Sequence, residues 1–554
     1  MIQVTRHTSP AIFLAAAVSA TLLDTPTPQL GWNSYNFFNC YPSEAIILEN
    51  AKGLVDHGLA KAGYEYLTVD CGWPAPERDE DGRMVWNPYL FPSGVEALRD
   101  EIHGLGLKFG VYSGGGYGQC GNGSLPASLG YEAIDAASFA EWGADSLKYD
   151  NCFATNGSVM VDYHDPEYGS PERFRDMAGE IDGVDRDILY QVCQWGCGTD
   201  LGEWAPPIGN SYRISNDIYN HWRSIWRIAN QVVPYADHTG PGSFPDMDML
   251  IVGLDVLTEE EERFHMGLWS MAKSPLTIGL PLNATSSPSR SSLATLTNKD
   301  VLAINQDPLA KPARLVRRFT EEEWDLWAGP LSRDRMVVAL ANWRNGSQSV
   351  SIDLARAIGV SSAHAKDVWA GRSIGSVKGV YETDLDPHQL QILILSKIKP
   401  SALKPVGTGY HSASTAALTG SAILSPCTQG ECLPAGAKVT DIASNSTVRF
   451  SSVQAPSADT QILAVDFINY DVAMGSAWEW GSNTRNMTIA VNDGVAKRWA
   501  FPLSGGDWFE SGRLLVEVDG FEEGEGNSVV FAGSKGDGDA WAPELVGFEL
   551  LEYQ

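Results

Sequence analysis

From Leu30 to about Pro281 the chain repeats one pattern: a short apolar, β-rich run, a loop rich in Gly, Asp and aromatic residues, then apolar positions at helical spacing. The apolar runs are TPQLGWNSYN, YEYLTVDCGW, LKFGVYSGGG, ADSLKYDNC, DILYQVCQWG, SYRISNDI, YADHTGPGSF and SPLTIGLPL. Between them, segments such as SEAIILENAKGLVDHGLA and GVEALRDEIHGLGL read as amphipathic helices. Parallel strands need helical crossovers, and eight such units close a ring, so the pattern predicts an α/β chain with a (β/α)8 TIM barrel over residues 21–305. After VLAINQDPLAKPARLV the period shortens to two in EEEWDLWAG, RMVVALANW and QLQILILSK, predicting an antiparallel β-sandwich over 306–398. KPSALKPVGTG reads as a linker covering 399–407, and residues 408–554 as a further β-sandwich module containing Trp478, Trp480, Trp499, Trp508 and Trp541. Such rings stack on sugars or fill a core.

Composition narrows the partners. Lys plus Arg is 39 against 69 Asp plus Glu, a net charge of −30 over 554 residues. That balance repels nucleic acid and anionic lipid and leaves a neutral ligand such as a sugar unaffected. Arg6 and His7, the apolar run Ala11–Ala17 and the small residues Val18-Ser19-Ala20 predict a signal peptide over 1–20. No later apolar run reaches the ~18 residues of a membrane span, so the product is expected to be exported and extracellular. Asn122, Asn156, Asn283, Asn345, Asn445 and Asn486 each begin an Asn-x-Ser/Thr glycosylation triplet. Eight cysteines in an exported chain point to disulfides. Cys427-x4-Cys432 closes a small loop, Cys193 and Cys197 are similarly spaced, and neither pair has the companions of a zinc site.

Two carboxyls carry the candidate chemistry. Asp150 closes ADSLKYDNC and Asp217 closes SYRISNDI, both at C-terminal ends of strand-like runs, where a barrel keeps its catalytic groups. Glycosidic hydrolysis needs one carboxyl to attack or stabilise the anomeric carbon and another to protonate the leaving oxygen. Helix capping or turn formation is the competing role for each Asp taken alone.

LGWNSYNFFNC, VDCGW, FGVYSG, LKYDNC, RISNDI, DMDML and INQDPL, in that order, resemble the α-galactosidases of glycoside hydrolase family 27, and the likeness continues through WAGPL, VVALANW and DPHQLQILILS to about residue 398. WAFPLSGGDW, LLVEVDGFEEGEGNSVVF and APELVGFELLE more loosely resemble a family 35 carbohydrate-binding module. The first resemblance implies a retaining mechanism with Asp150 as nucleophile and Asp217 as acid/base. It implies Lys148 beside the nucleophile, keeping it ionised, Arg213 contacting sugar and nucleophile, and a raised pKa on Asp217. It further implies a pocket of Trp32, Tyr35, Asp70, Trp73, Tyr112, Gln194, Asp248 and Met249, and a Cys120–Cys152 disulfide beside the nucleophile.

Two positions depart from the family pattern. Relatives have two adjacent carboxylates before Cys-Trp, whereas this chain reads Asp70-Cys71-Gly72-Trp73, so Cys71 is expected to take the bridge to Cys40. Losing a charged hydrogen bond to a sugar hydroxyl costs about 1.5–3 kcal/mol, which opens a β-L-arabinopyranosidase as an alternative. Gln194 replaces a glutamate, and Cys197, expected to bridge Cys193, stands where relatives read the C2 substituent. The expected activity is hydrolysis of terminal α-D-galactosyl groups on oligosaccharides or galactomannan, without a catalytic cofactor or metal. A catalytically inactive sugar-binding protein is the alternative of another class. Asp537 and Asp539 are candidate oxygen ligands for a structural Ca²⁺ in the module, the competing reading being a solvated acidic turn.

Overall fold

The computed structural model describes residues 23–154, 170–196, 200–283, 288–471, 482–534 and 541–554. The expected signal peptide, Asn156, Cys197, Trp478, Trp480, Asp537 and Asp539 lie outside the described residues.

Eight parallel strands form the barrel: β1 (Leu30–Asn33), β2 (Tyr66–Thr68), β3 (Lys108–Gly114), β4 (Ser146–Asp150), β5 (Leu189–Val192), β6 (Ser211–Arg213), β7 (Phe244–Asp246) and β8 (Leu276–Ile278). Their order is β8-β1-β2-β3-β4-β5-β6-β7, and Leu250, just beyond β7, pairs in parallel with Ile278 and joins the two ends. The principal helices between them are α1 (Glu44–Asp56), α2 (Val95–Gly104), α3 (Glu132–Glu141), α4 (Glu172–Asp182), α5 (Trp222–Gln231) and α6 (Glu259–Ala272). Sequence periodicity explains them: α2 buries Leu98 and Ile102, one turn apart, against the barrel. A capping box between Thr258 and Glu261 starts α6.

The seventh strand lies later than expected. YADHTGPGSF begins inside the 3-10 turn Val233–Asp237, and only its last residue, Phe244, enters the strand. Pro241 has no N–H for a ladder, and Gly240-Pro241-Gly242 turns the chain.

The sandwich comprises β9 (Arg314–Phe319), β10 (Trp324–Leu331), β11 (Arg335–Asn342), β12 (Gln348–Asp353), β13 (Val360–Asp367), β14 (Arg372–Lys378), β15 (Val380–Leu385) and β16 (Leu390–Pro400). One sheet runs β9-β10-β11-β16-β13-β14 and the other pairs β12 with β15. The stretch 399–407 is mostly strand: β16 reaches Pro400 and the next strand begins at Pro405, paired with Tyr553. The C-terminal region then forms a six-stranded and a five-stranded antiparallel sheet around its own core. There Trp499 is buried, Trp508 half-buried and Trp541 exposed.

Buried polar contacts join the three units. Arg318 of β9 pairs with Asp325 of β10 through two 2.9 Å bonds. Arg318 also donates to Asn230 Oδ1 of α5 at 2.6 Å and to the carbonyl of Ala500, in the C-terminal unit, at 3.1 Å.

Candidate active site

The barrel register layers the site. Tyr112 of β3 pairs with Lys148 of β4, Lys148 with Gln191 of β5, and, one pleat further, Gly114 with Asp150. Lys148 and Asp150 are two apart and share a face, while Tyr149 turns outward onto Phe174 of α4. The inward residues therefore meet at the C-terminal mouth.

Asp150 is 6% exposed and held by three donors. Trp195 Nε1 (3.2 Å) and the Asn151 N–H (3.0 Å) reach Oδ1, and the Tyr112 hydroxyl (3.0 Å) reaches Oδ2. Burial pushes its pKa up, and Asp217 and Asp70 add to this. Lys148 and Arg213 pull the other way and are outweighed. Lys148, expected beside Asp150, does lower its pKa, and its ammonium also bonds Asp70 Oδ2 at 2.8 Å, under the rings of Tyr35 and Tyr112. Asn33 Nδ2 donates to the same Asp70 oxygen at 2.7 Å and the Cys71 N–H to Oδ1 at 2.9 Å. Asp70 thus faces the site as a fully anchored carboxylate. Burial alone would lower the Lys148 pKa, but Asp70, Cys193 and Asp150 raise it well above normal, so the cation is permanent.

Asp217 stands on the loop after β6 with 40% of its side chain open to solvent. Arg213, at the end of β6, forks between two carboxylates: Nη2 donates to Asp217 at 2.5 Å and Nη1 to Asp248 at 2.9 Å. Asp248 follows β7 with a left-handed backbone (φ 74°). Its other oxygen accepts the Ile218 N–H at 2.6 Å, tying the loop that carries Asp217 to the end of β7. Burial pushes the Asp248 pKa up to about 6 despite the pull of Arg213. Asp217 and burial push the half-buried Tyr35 phenol upward, keeping it a neutral donor.

Several expected pocket residues form its walls instead of its opening. Trp32 and Trp73 are fully buried and donate to the carbonyls of Leu280 and Tyr112, both at 2.9 Å. Met249 is buried, and Gln194 is buried with its Oε1 accepting from Gly196 N–H at 3.1 Å. Sequence reasoning passed over Trp195, Asn33 and Arg227. Arg227 of α5 donates to the Asp217 carbonyl at 2.7 Å and to Asn216 Oδ1. Only Trp195 left a signal, an aromatic followed by glycine at a strand end; it takes φ 79°, which turns its indole under Asp150.

Cys40–Cys71, Cys120–Cys152 and Cys427–Cys432 are bonded. The first needs Gly72, at φ 91°, because a Cβ there would lie 2.1 Å from the Cys40 carbonyl oxygen. Cys197, the expected partner of Cys193, lies outside the described residues, and Cys193 is a free, buried thiol. At the end of β5 it faces the interior, packed with Cys152 and Trp195 and 3.7 Å from Arg213 Nη1. Among the described triplets Asn122, Asn345 and Asn445 are exposed, and Asn283 and Asn486 half-buried. No group of three or more His, Cys, Asp or Glu suited to a metal occurs among the described residues.

The family model described as alpha galactosidase A matches residues 27–307, and that of the alpha galactosidase C-terminal beta sandwich domain matches 321–395. Alpha-galactosidase D of Emericella nidulans is 37% identical over a 636-residue alignment covering 95% of this chain and 95% of that protein. A probable alpha-galactosidase D of Aspergillus fumigatus is 38% identical over 627 residues, covering 95% and 96%. The crystal structure of alpha-galactosidase I from Mortierella vinacea superposes with a TM-score of 0.63 at 31% identity, over 68% of this chain and 99% of that one.

Proposed function

The chain belongs to the α-galactosidases of glycoside hydrolase family 27, and from that premise we propose that it is an exported retaining enzyme removing terminal α-D-galactosyl groups from galacto-oligosaccharides and galactomannan side chains. Asp150 attacks the anomeric carbon and Asp217 protonates the departing oxygen. Water activated by Asp217 then hydrolyses the glycosyl–Asp150 ester. The observation that carries this reading is the fixing of Asp150 by three donors. Two occupy Oδ1 and, among the described residues, only the Tyr112 hydroxyl reaches Oδ2, so Oδ2 keeps a lone pair for attack.

Asp70 Oδ1 likewise retains acceptor capacity for sugar hydroxyls, and Lys148 and Asn33 hold its other oxygen. Arg213 restrains both Asp217 and Asp248, so it sets the acid's reach across the sugar. Export rests on the leader and on three disulfides, which persist in oxidising compartments. Glycosylation at the exposed Asn122 and Asn445 belongs to the same reading, as does a carbohydrate-binding role for the C-terminal unit. The arabinopyranosidase and inactive-lectin alternatives are not favoured: the relatives spanning 95% of the chain are α-galactosidases, and the catalytic pair is intact.

The test is the initial rate on p-nitrophenyl α-D-galactopyranoside beside p-nitrophenyl β-L-arabinopyranoside, with Asp150→Asn as blank, and NMR of the first anomer released. A dominant galactoside rate, α-galactose first and a silent variant are expected. A dominant arabinoside rate rejects the substrate, and β-galactose first rejects the mechanism.

A further inference from the structure

Outside the catalytic mouth, a cleft of about 750 Å³ opens where α5, the sandwich and the C-terminal unit meet. That volume falls in the ~300–1,000 Å³ range of small-ligand sites. Its walls are aromatic. Trp222 and Trp226 on α5 and Trp343 after β11 are each partly open to solvent. Trp226 meets Trp343 edge-on at 4.7 Å, and Trp222 stacks on His388 at 4.3 Å with 21° between the planes.

The floor is rigid and neutral. Arg318 and Asp325, each 1% exposed, neutralise one another, and Trp343 Nε1 donates to Asp325 at 2.9 Å. Arg318 also lies over the Trp226 ring at 4.6 Å. On the rim, Arg223 and Glu323 are exposed, a donor and an acceptor of opposite charge. His388 Nδ1 meets Glu261 at 2.6 Å, but its Nε2 is buried without a hydrogen-bond partner among the described residues.

We propose that this cleft is a second carbohydrate site, taking a neutral oligosaccharide two or three pyranose units long. The apolar C–H faces of pyranose rings cover the open indoles, and their hydroxyls supply both donors and acceptors to the exposed Arg223 and Glu323. An anionic ligand is disfavoured because the floor guanidinium is already neutralised and the chain carries −30 overall. A purely apolar ligand would make no use of the exposed Arg223 and Glu323 on the rim. α5 begins at Trp222, five residues beyond Asp217, so a chain bound here lies beside the element carrying the acid loop.

Calorimetric titration of the full-length Asp150→Asn protein with raffinose and with β-1,4-mannotriose tests this independently of which glycoside is cleaved. The protein is first treated with an endoglycosidase, since glycans on Asn345 or Asn486, both on the cleft wall, would fill it. The expected result is a binding event for mannotriose, which lacks an α-galactosyl group for the catalytic pocket, and a second event for raffinose. Trp222→Ala and Arg223→Ala, each added to that background, should weaken the cleft event at least tenfold. The same substitutions in the active enzyme should leave hydrolysis of the nitrophenyl galactoside within twofold. Absence of any mannotriose heat together with single-site raffinose binding overturns the proposal. So does a second event that survives both substitutions.

Discussion

Replacing Asn483 tests whether the C-terminal unit holds the catalytic pair in place. Its side chain is 2% exposed, and its Nδ2 donates to the Arg227 carbonyl at 3.0 Å and to Gln231 Oε1 at 2.9 Å. From there Arg227 grips the Asp217 carbonyl, and Gln231 reaches the Trp195 carbonyl at 3.5 Å, with the Trp195 indole on Asp150. Asn483 sits at φ 53°, so alanine would add backbone strain, whereas Asn483→Gly keeps the conformation and removes only the hydrogen bonds. Two neutral bonds at about 1 kcal/mol each, both to buried partners, predict a stability loss of about 2–3 kcal/mol in urea unfolding. If loosened helix contacts shift Asp217 by a few tenths of an ångström, kcat should fall roughly 3- to 30-fold, because a 1 Å misplacement costs ~100-fold. KM should move less than twofold, since Asp70 and Lys148 are untouched. Steady-state kinetics on the nitrophenyl galactoside, well below the unfolding range, reads both numbers. A glycine variant that is less stable but has wild-type kcat would show that the contact only stabilises, and would refute the positioning argument.

Three further outcomes are expected. Arg213→Lys replaces a fork that spans Asp217 and Asp248 by one point charge, so kcat/KM should drop roughly 30- to 150-fold, about 2–3 kcal/mol, in steady-state assays. Near-normal kcat/KM would mean the fork is dispensable. The double substitution Cys40→Ser, Cys71→Ser opens a loop with a sequence separation of 31 and should cost about 3–4 kcal/mol by chain entropy. It should also raise the galactoside KM, because the Cys71 N–H then anchors Asp70 less firmly; an unchanged KM would separate the disulfide from the sugar site. His265 is fully buried, and burial holds its pKa down at about 3 against 6.5 when unfolded. Its contribution is therefore complete above pH 6.5 and lost as the pH falls toward 3, by about 3 kcal/mol between pH 6.5 and 4. His265→Gln, whose amide oxygen can accept the Ile251 N–H, should flatten the acid limb of the stability profile by that amount, and an equally steep limb would contradict it.

The barrel was legible because each strand alternates with an amphipathic helix, and Asp150 and Asp217 because each closes an apolar run. What the sequence missed depends on contacts across the ring. Lys148 does lower the Asp150 pKa from two residues away, as expected, but its stem on an inward face carries the ammonium to the carboxylate after β2, a contact that spacing on its own strand does not show. Cys193 and Cys197 have the spacing of a local bridge, but at the end of β5 Cys193 points into the interior, among Cys152 and Trp195. Trp195 and Asn33 are ordinary loop and strand residues by composition. They matter only because a left-handed turn and a parallel register carry them under two carboxylates. The left-handed Asp248 and the joining contacts of Arg227 and Asn483 arise from tertiary packing, which no local pattern encodes.

The Arg318–Asp325 pair bears on how such chains change over generations. Strand, helix and appended unit meet at this pair, and each supplies part of its shell. A gene shortened after the sandwich would translate into a protein whose Arg318 lacks the Ala500 carbonyl and whose Trp226 loses a covering wall. Arg318 would keep Asp325 and Asn230, so the junction would survive such a loss with one buried hydrogen bond fewer and with part of α5 newly open to water.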